Sequence, residues 1–333
     1  MLRSCSPHVA LDNECSCAQN AETFSVLNLG RMTDIENSGR SVAELLRDYS
    51  VEVNPSQSKV VDAAADRLEP STEVFLPWIP GADPFDTVPA AAKLRRGGLK
   101  PVPHVCARHI ESSAQLEQYA GRLLGEAGVD RVLMIGGDRA KPAGPYHSSL
   151  QVMQAEAFQK LGIVRIAIAG FPEGNPSIPD AALDEALVEK TDFARRAGLH
   201  LSVVTQFCFE AEPIVAWLRH IRARGIDVPV RVGLAGPAGL MTLARYAVRC
   251  GIGNSLHVLT QNPAFARLLV EKGPEPIIRG IATSDGFRSE KPGDHPSRPL
   301  GIAGLHFYVF GGFDKTMDWI NSRRGLRSHS THP

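Results

Sequence analysis

Eight short apolar runs, each followed by a stretch with helical spacing, constrain this chain more than anything else in it. The runs cover 49–55, 73–80, 100–107, 130–138, 164–173, 199–209, 228–237 and 301–312. They are apolar on both sides, as strands buried on both faces of a parallel sheet are. Between them, apolar residues recur three and four apart, as at Val60, Val61, Ala64 and Leu68, or at Leu116, Tyr119, Ala120, Leu123 and Leu124. That spacing predicts helices over 58–68, 85–96, 113–125, 148–161, 180–197, 212–224 and 238–250. Glycine follows several of them, at Gly97, Gly198, Gly225 and Gly251. Segment 254–298 is a longer excursion, expected to hold one or two helices. Such unbroken alternation argues α/β class and a (β/α)8 TIM barrel, with an N-terminal extension and a long insertion between strands 7 and 8. An open doubly wound sheet would carry the same alternation, but its usual GxGxxG fingerprint after the first strand is absent.

The chain has 333 residues, and a barrel of this kind takes about 250. Residues 1–40 are polar and without a sustained period, and read as a poorly ordered extension. Met32-Thr-Asp-Ile-Glu reads as an alternative start, which would leave 1–31 outside the native protein. Ser41 and Glu44 fit a capping box for a helix over 42–48. The catalytic barrel is expected over 41–325 and a tail over 326–333. Lys and Arg number 36, as do Asp and Glu, so no charge excess points to nucleic acid or a membrane surface. No apolar run approaches the ~20 residues of a membrane span, and no secretory signal is evident. A cytoplasmic enzyme is expected, with room for a homo-oligomer. Cys5, His8, Cys15 and Cys17 could hold zinc, but Cys15-Ser16-Cys17 is tighter than CxxC and reads as a reduced tail. No metal is expected. Cys106 and Cys208 read as small apolar fillers, though Cys106 shares a strand face with His104 and could line a site.

A closed barrel gathers its strand ends into one basin, where polar residues read as chemistry. Glu52 alternates with valines in Val51-Glu52-Val53-Asn54-Pro55, so it faces either the interior or the helical shell. Neither suits an unpaired charge, and a carboxyl held there with a raised pKa can act as a general acid. A salt bridge at the rim is the alternative. Asp138 follows Gly136-Gly137, where the backbone can pass close to a flat or phosphate-bearing ligand; an ordinary turn would look the same. Gln206 is an amide in an apolar strand and must find a ligand or a backbone partner. His104 and Glu173 sit near the ends of strands three and five, and a strand histidine can equally be a satisfied core residue. HExxH, Walker and EF-hand patterns are absent, so the basin suits an organic molecule better than a metal.

Several motifs fall in one order along the strands: Val51-Glu52-Val53-Asn54-Pro55, Pro103-His104, Gly137-Asp138, Tyr146-His147-Ser148, Phe171-Pro172-Glu173, Thr205-Gln206-Phe207-Cys208-Phe209 and Gly304-Leu305-His306-Phe307-Tyr308. From about Ser50 to Tyr308 this order resembles the methylenetetrahydrofolate reductases, flavin-dependent barrel oxidoreductases of one-carbon metabolism and methionine biosynthesis. The resemblance implies that NAD(P)H reduces FAD, which passes hydride to 5,10-methylenetetrahydrofolate to form 5-methyltetrahydrofolate. Glu52 is then the general acid, while Asp138 and Gln206 hold the pterin, with Phe207 and Leu240 also at the substrate. The flavin would be held by His104, Gly136, Gly137, Asp138, Tyr146, His147, Phe171, Glu173 and Lys190.

Four positions depart from the family pattern. Pro77-Trp78-Ile79-Pro80-Gly81-Ala82 replaces a Thr-Tyr-Gly-Ala, and Gly136 stands in place of an arginine. Ala194 occupies a lysine position, with Lys190 one turn earlier, and Leu240 lies near the place of a stacking phenylalanine. Three of these touch the flavin in the family. A flavin-independent tetrahydrofolate methyltransferase, or a non-catalytic folate-binding subunit, are therefore the alternative readings.

Overall fold

The computed structural model describes residues 42–79, 81–250, 261, 263–284 and 300–325. Its strands are β1 (Tyr49–Glu52), β2 (Glu73–Leu76), β3 (Lys100–Cys106), β4 (Arg131–Ile135), β5 (Arg165–Gly170), β6 (His200–Thr205), β7 (Val230–Ala235) and β8 (Ile302–Tyr308). Helices follow in turn: α1 (Ser58–Arg67), α2 (Thr87–Arg96), α3 (Ser113–Ala127), α4 (Ser149–Gln154), α5 (Asp180–Arg196), α6 (Ala211–Ala223) and α7 (Leu240–Arg249). Among the described residues α8 (Pro263–Lys272) and α9 (Glu275–Ala282) lie in the insertion before β8, and α10 (Phe313–Arg323) closes the round. The strands are hydrogen-bonded in order as a closed parallel barrel. Closure is carried by β1 on β8, with Tyr49 opposite Leu305 and Glu52 opposite Tyr308. The chain is therefore a (β/α)8 barrel, and the open-sheet alternative is set aside.

Strand side chains alternate between two environments. Outward residues such as Val51, Val74, Val105, Val132, Ile168 and Val203 pack under the helices in the main core. Inward residues Phe75, Val102, Leu133, Ala167 and Val204 form a separate cluster inside the barrel. The N-terminal end of the barrel is filled by charge. Glu73 pairs with Arg131 and with Arg231 at 3.0 Å, Arg231 also reaches Asp48 at 2.9 Å, and Arg131 donates to Ser202 Oγ at 3.0 Å. This end is a packed plug, which leaves the C-terminal strand ends as the open face.

Local chemistry sets the helix limits. Ser112 Oγ accepts from the Gln115 N–H at 3.1 Å to open α3, and left-handed Gly128 closes it. The expected helix over 148–161 is broken instead. It stops at Gln154, Glu156 takes a left-handed φ of 58°, and a short 3-10 turn spans Gln159–Leu161. Apolar spacing alone did not reveal that break. The expected helix over 85–96 likewise opens as a 3-10 turn at Pro84–Asp86, capped by Asp83. Near the N-terminus, helix covers 42–45 rather than 42–48. The extension, the C-terminal tail, Ser41 of the capping box and the group Cys5, His8, Cys15 and Cys17 lie outside the described residues.

Candidate active site

Glu52 ends β1 and faces the barrel interior, level with Phe75 of β2 and Tyr308 of β8. Its side chain is 22% exposed, so it reaches the mouth without being solvated freely. Burial pushes its carboxyl from 4.5 up to about 7. Across from it stands His104 of β3, with Nε2 3.6 Å from Glu52 Oε2. That is too long for a hydrogen bond, and His104 Nε2 is buried with no hydrogen-bond partner among the described residues. Burial pulls this imidazole down to about 3, so it is neutral at physiological pH. Below the pair, His306 is held to Ser50 Oγ through Nδ1 at 2.9 Å and packs edge-on against Phe75 and Tyr308. Burial, then His104 and Arg231, keep His306 well below the usual histidine range. The mouth is thus floored by neutral imidazoles and phenyl rings, an environment that favours a protonated carboxyl.

Tyr308 donates its hydroxyl to the Thr205 carbonyl at 3.0 Å. Its ring passes close over Gly233, where an added Cβ would overlap the Thr205 carbonyl oxygen and approach Tyr308 Cε2 to 3.0 Å. Burial and the nearby Glu52 hold the Tyr308 phenol well above its usual value, so it stays neutral.

Asp138 lies beyond the end of β4 and is 68% exposed. Its Oδ1 accepts a 2.6 Å hydrogen bond from His109 Nε2. His109 belongs to a 3-10 turn, Ala107–His109, directly after β3. Its ring packs against Trp78 at 5.7 Å between centroids. The sequence reading missed His109, and the only signal for it was a histidine just past a strand end. Gly137, at φ 90°, is needed because a Cβ there would meet His109 Cδ2 at 2.9 Å and Cys106 Cβ at 3.3 Å. The double glycine was expected to admit a ligand, whereas at Gly137 the space is taken by the His109 ring. Cys106 is buried, as a filler would be; burial, then Asp138, push its thiol up to about 12.

Gln206 directly follows β6. Its backbone N–H donates to Gly170 at 2.8 Å, and its side-chain oxygen accepts from the Phe207 N–H at 3.1 Å. Phe207 is fully buried, among the rings of Phe209, Tyr308 and Phe310. Phe310 stacks on Tyr246 of α7 at 3.8 Å. Leu240 opens α7 and is 41% exposed.

The remaining expected residues are more dispersed. Gly136 has open space where a Cβ would stand. Tyr146 is buried and hydrogen-bonded to Ser113 Oγ at 3.0 Å; it lines a cavity of about 370 Å³ with Ser113, Glu117, Gln151 and Gln154. His147 is exposed, and its N–H donates to Gln151 Oε1 at 2.6 Å. Phe171 accepts from the Gly174 N–H at 3.0 Å, closing the turn that holds Glu173. Glu173 acts on the thiol of Cys208, which burial and that carboxylate raise well above its usual value. Lys190 sits half-buried on α5, and burial lowers its amine against the raising effect of Glu189. Ala194 is buried in the core.

The chemistry of this donor set fits a flavin in two respects. Among the described residues His104 Nε2 is a buried polar atom without a hydrogen-bond partner, as the edge of a bound heterocycle would explain. Lys190 is a partly desolvated cation of the kind that takes up a phosphate oxygen. Among the described residues no group of three or more His, Cys, Asp or Glu could hold a metal ion, and no helix is long and apolar enough to cross a membrane.

A partly buried carboxyl stands at the C-terminal mouth of a plugged (β/α)8 barrel, the face where barrels of this kind gather their polar strand-end residues. The chain belongs to the methylenetetrahydrofolate reductase family, whose model matches residues 66–253, more than half of the chain. Glu52 and β8 lie outside that stretch. Methylenetetrahydrofolate reductase 2 of Saccharomyces cerevisiae is 29% identical over 122 residues, 36% of this chain and 18% of that protein. The match thus spans less than a fifth of the length of that relative. Among solved structures, the carboxyl transferase domain of Rhizobium etli pyruvate carboxylase has a TM-score of 0.38 at 12% identity, covering 89% of this chain and 56% of that one. A D-hydantoinase has 0.32 at 16% identity, covering 52% and 41%. Likeness at that level adds nothing to the assignment.

Proposed function

We propose that the chain interconverts 5,10-methylenetetrahydrofolate and 5-methyltetrahydrofolate, with NAD(P)H as co-substrate and FAD as cofactor. The observation that carries this reading is Glu52, an interior carboxyl at the strand ends whose pKa of about 7 makes it an acid at working pH. Glu52 protonates the folate nitrogen that leaves as the five-membered ring opens, and is reprotonated from solvent at the mouth. Neutral His104 adds no positive charge beside it, so the carboxyl keeps its proton until substrate arrives. Asp138 accepts N–H groups from the aminopyrimidine edge of the pterin, and the Gln206 amide bonds the same ring. Phe207 backs the site from below, and Leu240 covers the substrate from the α7 side. A bound FAD would supply the hydride relay between NAD(P)H and the one-carbon unit. His104, Gly136, Asp138, Tyr146, His147, Phe171 and Glu173 would hold it, with Lys190 toward its phosphates.

A second reading rests on Pro77-Trp78-Ile79-Pro80-Gly81-Ala82, Gly136 and Ala194, where the family has a flavin-contacting Thr, an Arg and a Lys. A folate-dependent methyltransferase on this barrel would need none of those three family residues. The two readings separate on purified protein. A flavin absorbance band, retained or restored with added FAD, together with folate-dependent NAD(P)H oxidation, is the expected result. A colourless protein that stays inactive with FAD would overturn the flavin reading, and methyl transfer without NAD(P)H consumption would establish the second.

A further inference from the structure

We infer that His109 is a positioning residue for folate recognition, acting through Asp138. The inference rests on the proposed role of Asp138 as a ligand for the pterin edge. Asp138 sits on an exposed loop behind two glycines, where a carboxylate would ordinarily sample several rotamers. Here it is held at one oxygen by the 2.6 Å bond from His109 Nε2. The donor is fixed where the acceptor is free: the His109 side chain is 9% exposed, against 68% for Asp138. Trp78 backs the imidazole on one side, and the Gly137 backbone closes on it so tightly that no Cβ fits.

The neighbouring Arg108 clamps the same loop at three points. Its N–H donates to the Gly136 carbonyl at 2.9 Å, its guanidinium to the Ala140 carbonyl at 2.6 Å, and its carbonyl accepts from the Ala143 N–H at 2.9 Å. The loop after β4 is therefore shaped around the turn after β3. With Oδ1 engaged by His109, the second oxygen of this exposed carboxylate is left to accept from a ligand. An N–H donor on a heterocycle edge, such as the 2-amino group of a pterin, is the group such an acceptor takes. Trp78 thereby gains a role at a position where the family pattern is lost, as the wall that keeps His109 in place.

The test measures equilibrium binding of 5-methyltetrahydrofolate to full-length protein, with steady-state kinetics and thermal unfolding on the same samples. His109→Ala is expected to weaken folate binding about tenfold, the scale of a lost hydrogen bond to a charged group, and to raise KM for folate more than it lowers kcat. His109→Gln, which keeps an N–H donor, is expected to recover most of the loss. In an Asp138→Ala background, His109→Ala should cost nothing further, because its effect passes through that carboxylate. If Asp138→Ala weakens folate binding but His109→Ala does not, the positioning role is overturned while the reading of Asp138 stands. If neither variant changes folate affinity, the reading of Asp138 itself fails. Losses that follow the unfolded fraction, or that add in the double variant, would reduce His109 to a structural residue and overturn the inference.

Discussion

Glu52 illustrates how one side chain couples stability to chemistry. Its carboxyl is raised from 4.5 to about 7 by burial. The folded state therefore holds this proton more tightly than the unfolded chain does. The stability that goes with the bound proton is fully present below about pH 4.5 and is lost as pH rises through about 7. Replacing Glu52 by Gln removes that dependence. The variant should gain up to about 3 kcal/mol at about pH 8 relative to its difference at about pH 4.5, less what residual solvent access screens. Urea unfolding at the two values measures this, and an equal effect at both would refute the raised pKa. Turnover should respond in the opposite sense. Loss of a positioned acid costs about 10²- to 10⁴-fold, so Glu52→Gln should abolish folate reduction while sparing NAD(P)H oxidation by bound flavin. In the unaltered protein, folate reduction should fall above about pH 7. Equal loss of both activities in the variant would count against the assigned role.

At the scale of elements, the barrel is joined by contacts that admit no extra atom. β6, β7 and β8 meet where Thr205 Oγ1 accepts from the Gly233 N–H at 2.8 Å and the Thr205 carbonyl accepts from Tyr308. A Cβ at position 233 would overlap that carbonyl. Gly233→Ala should therefore destabilise the fold by about 1–3 kcal/mol and shift the Tyr308 ring at the mouth. Thermal unfolding and folate affinity together check this; an unchanged melting temperature would show that the strands can separate to admit the methyl group. Legibility in the sequence was uneven at this scale. Strands and most helices could be read because their periods are local properties of the chain. The break at Glu156 could not, since the apolar spacing continues across it and only the backbone turns. The role of His109 was hidden for a related reason: its partner lies 29 residues away on another strand's loop, and no local pattern marks such a pair.

Across the whole molecule, the two ends of the barrel are divided between stability and chemistry. The N-terminal plug joins Glu73 to Arg131 and Arg231, all largely buried. Glu73→Ala would leave Arg131 without its carboxylate and Arg231 with Asp48 alone, and should cost about 3–5 kcal/mol, the range for breaking a buried pair from one side. The remaining folded protein should bind folate normally, because the mouth lies at the opposite end. A chemical-denaturation midpoint alongside folate titration tests both halves of that statement, and a weakened folate affinity in the folded fraction would show that the two ends are coupled. The sequence by itself determined the class of fold, the order of strands and the polar residues at their ends, since alternation and spacing are carried by neighbouring residues. Only the tertiary structure decided that β1 closes on β8, that Glu52 faces inward beside the buried His104, and that the Asp138 loop packs on His109. Those outcomes depend on residues far apart in the chain coming into contact, and contact across the barrel is a property of packing rather than of period.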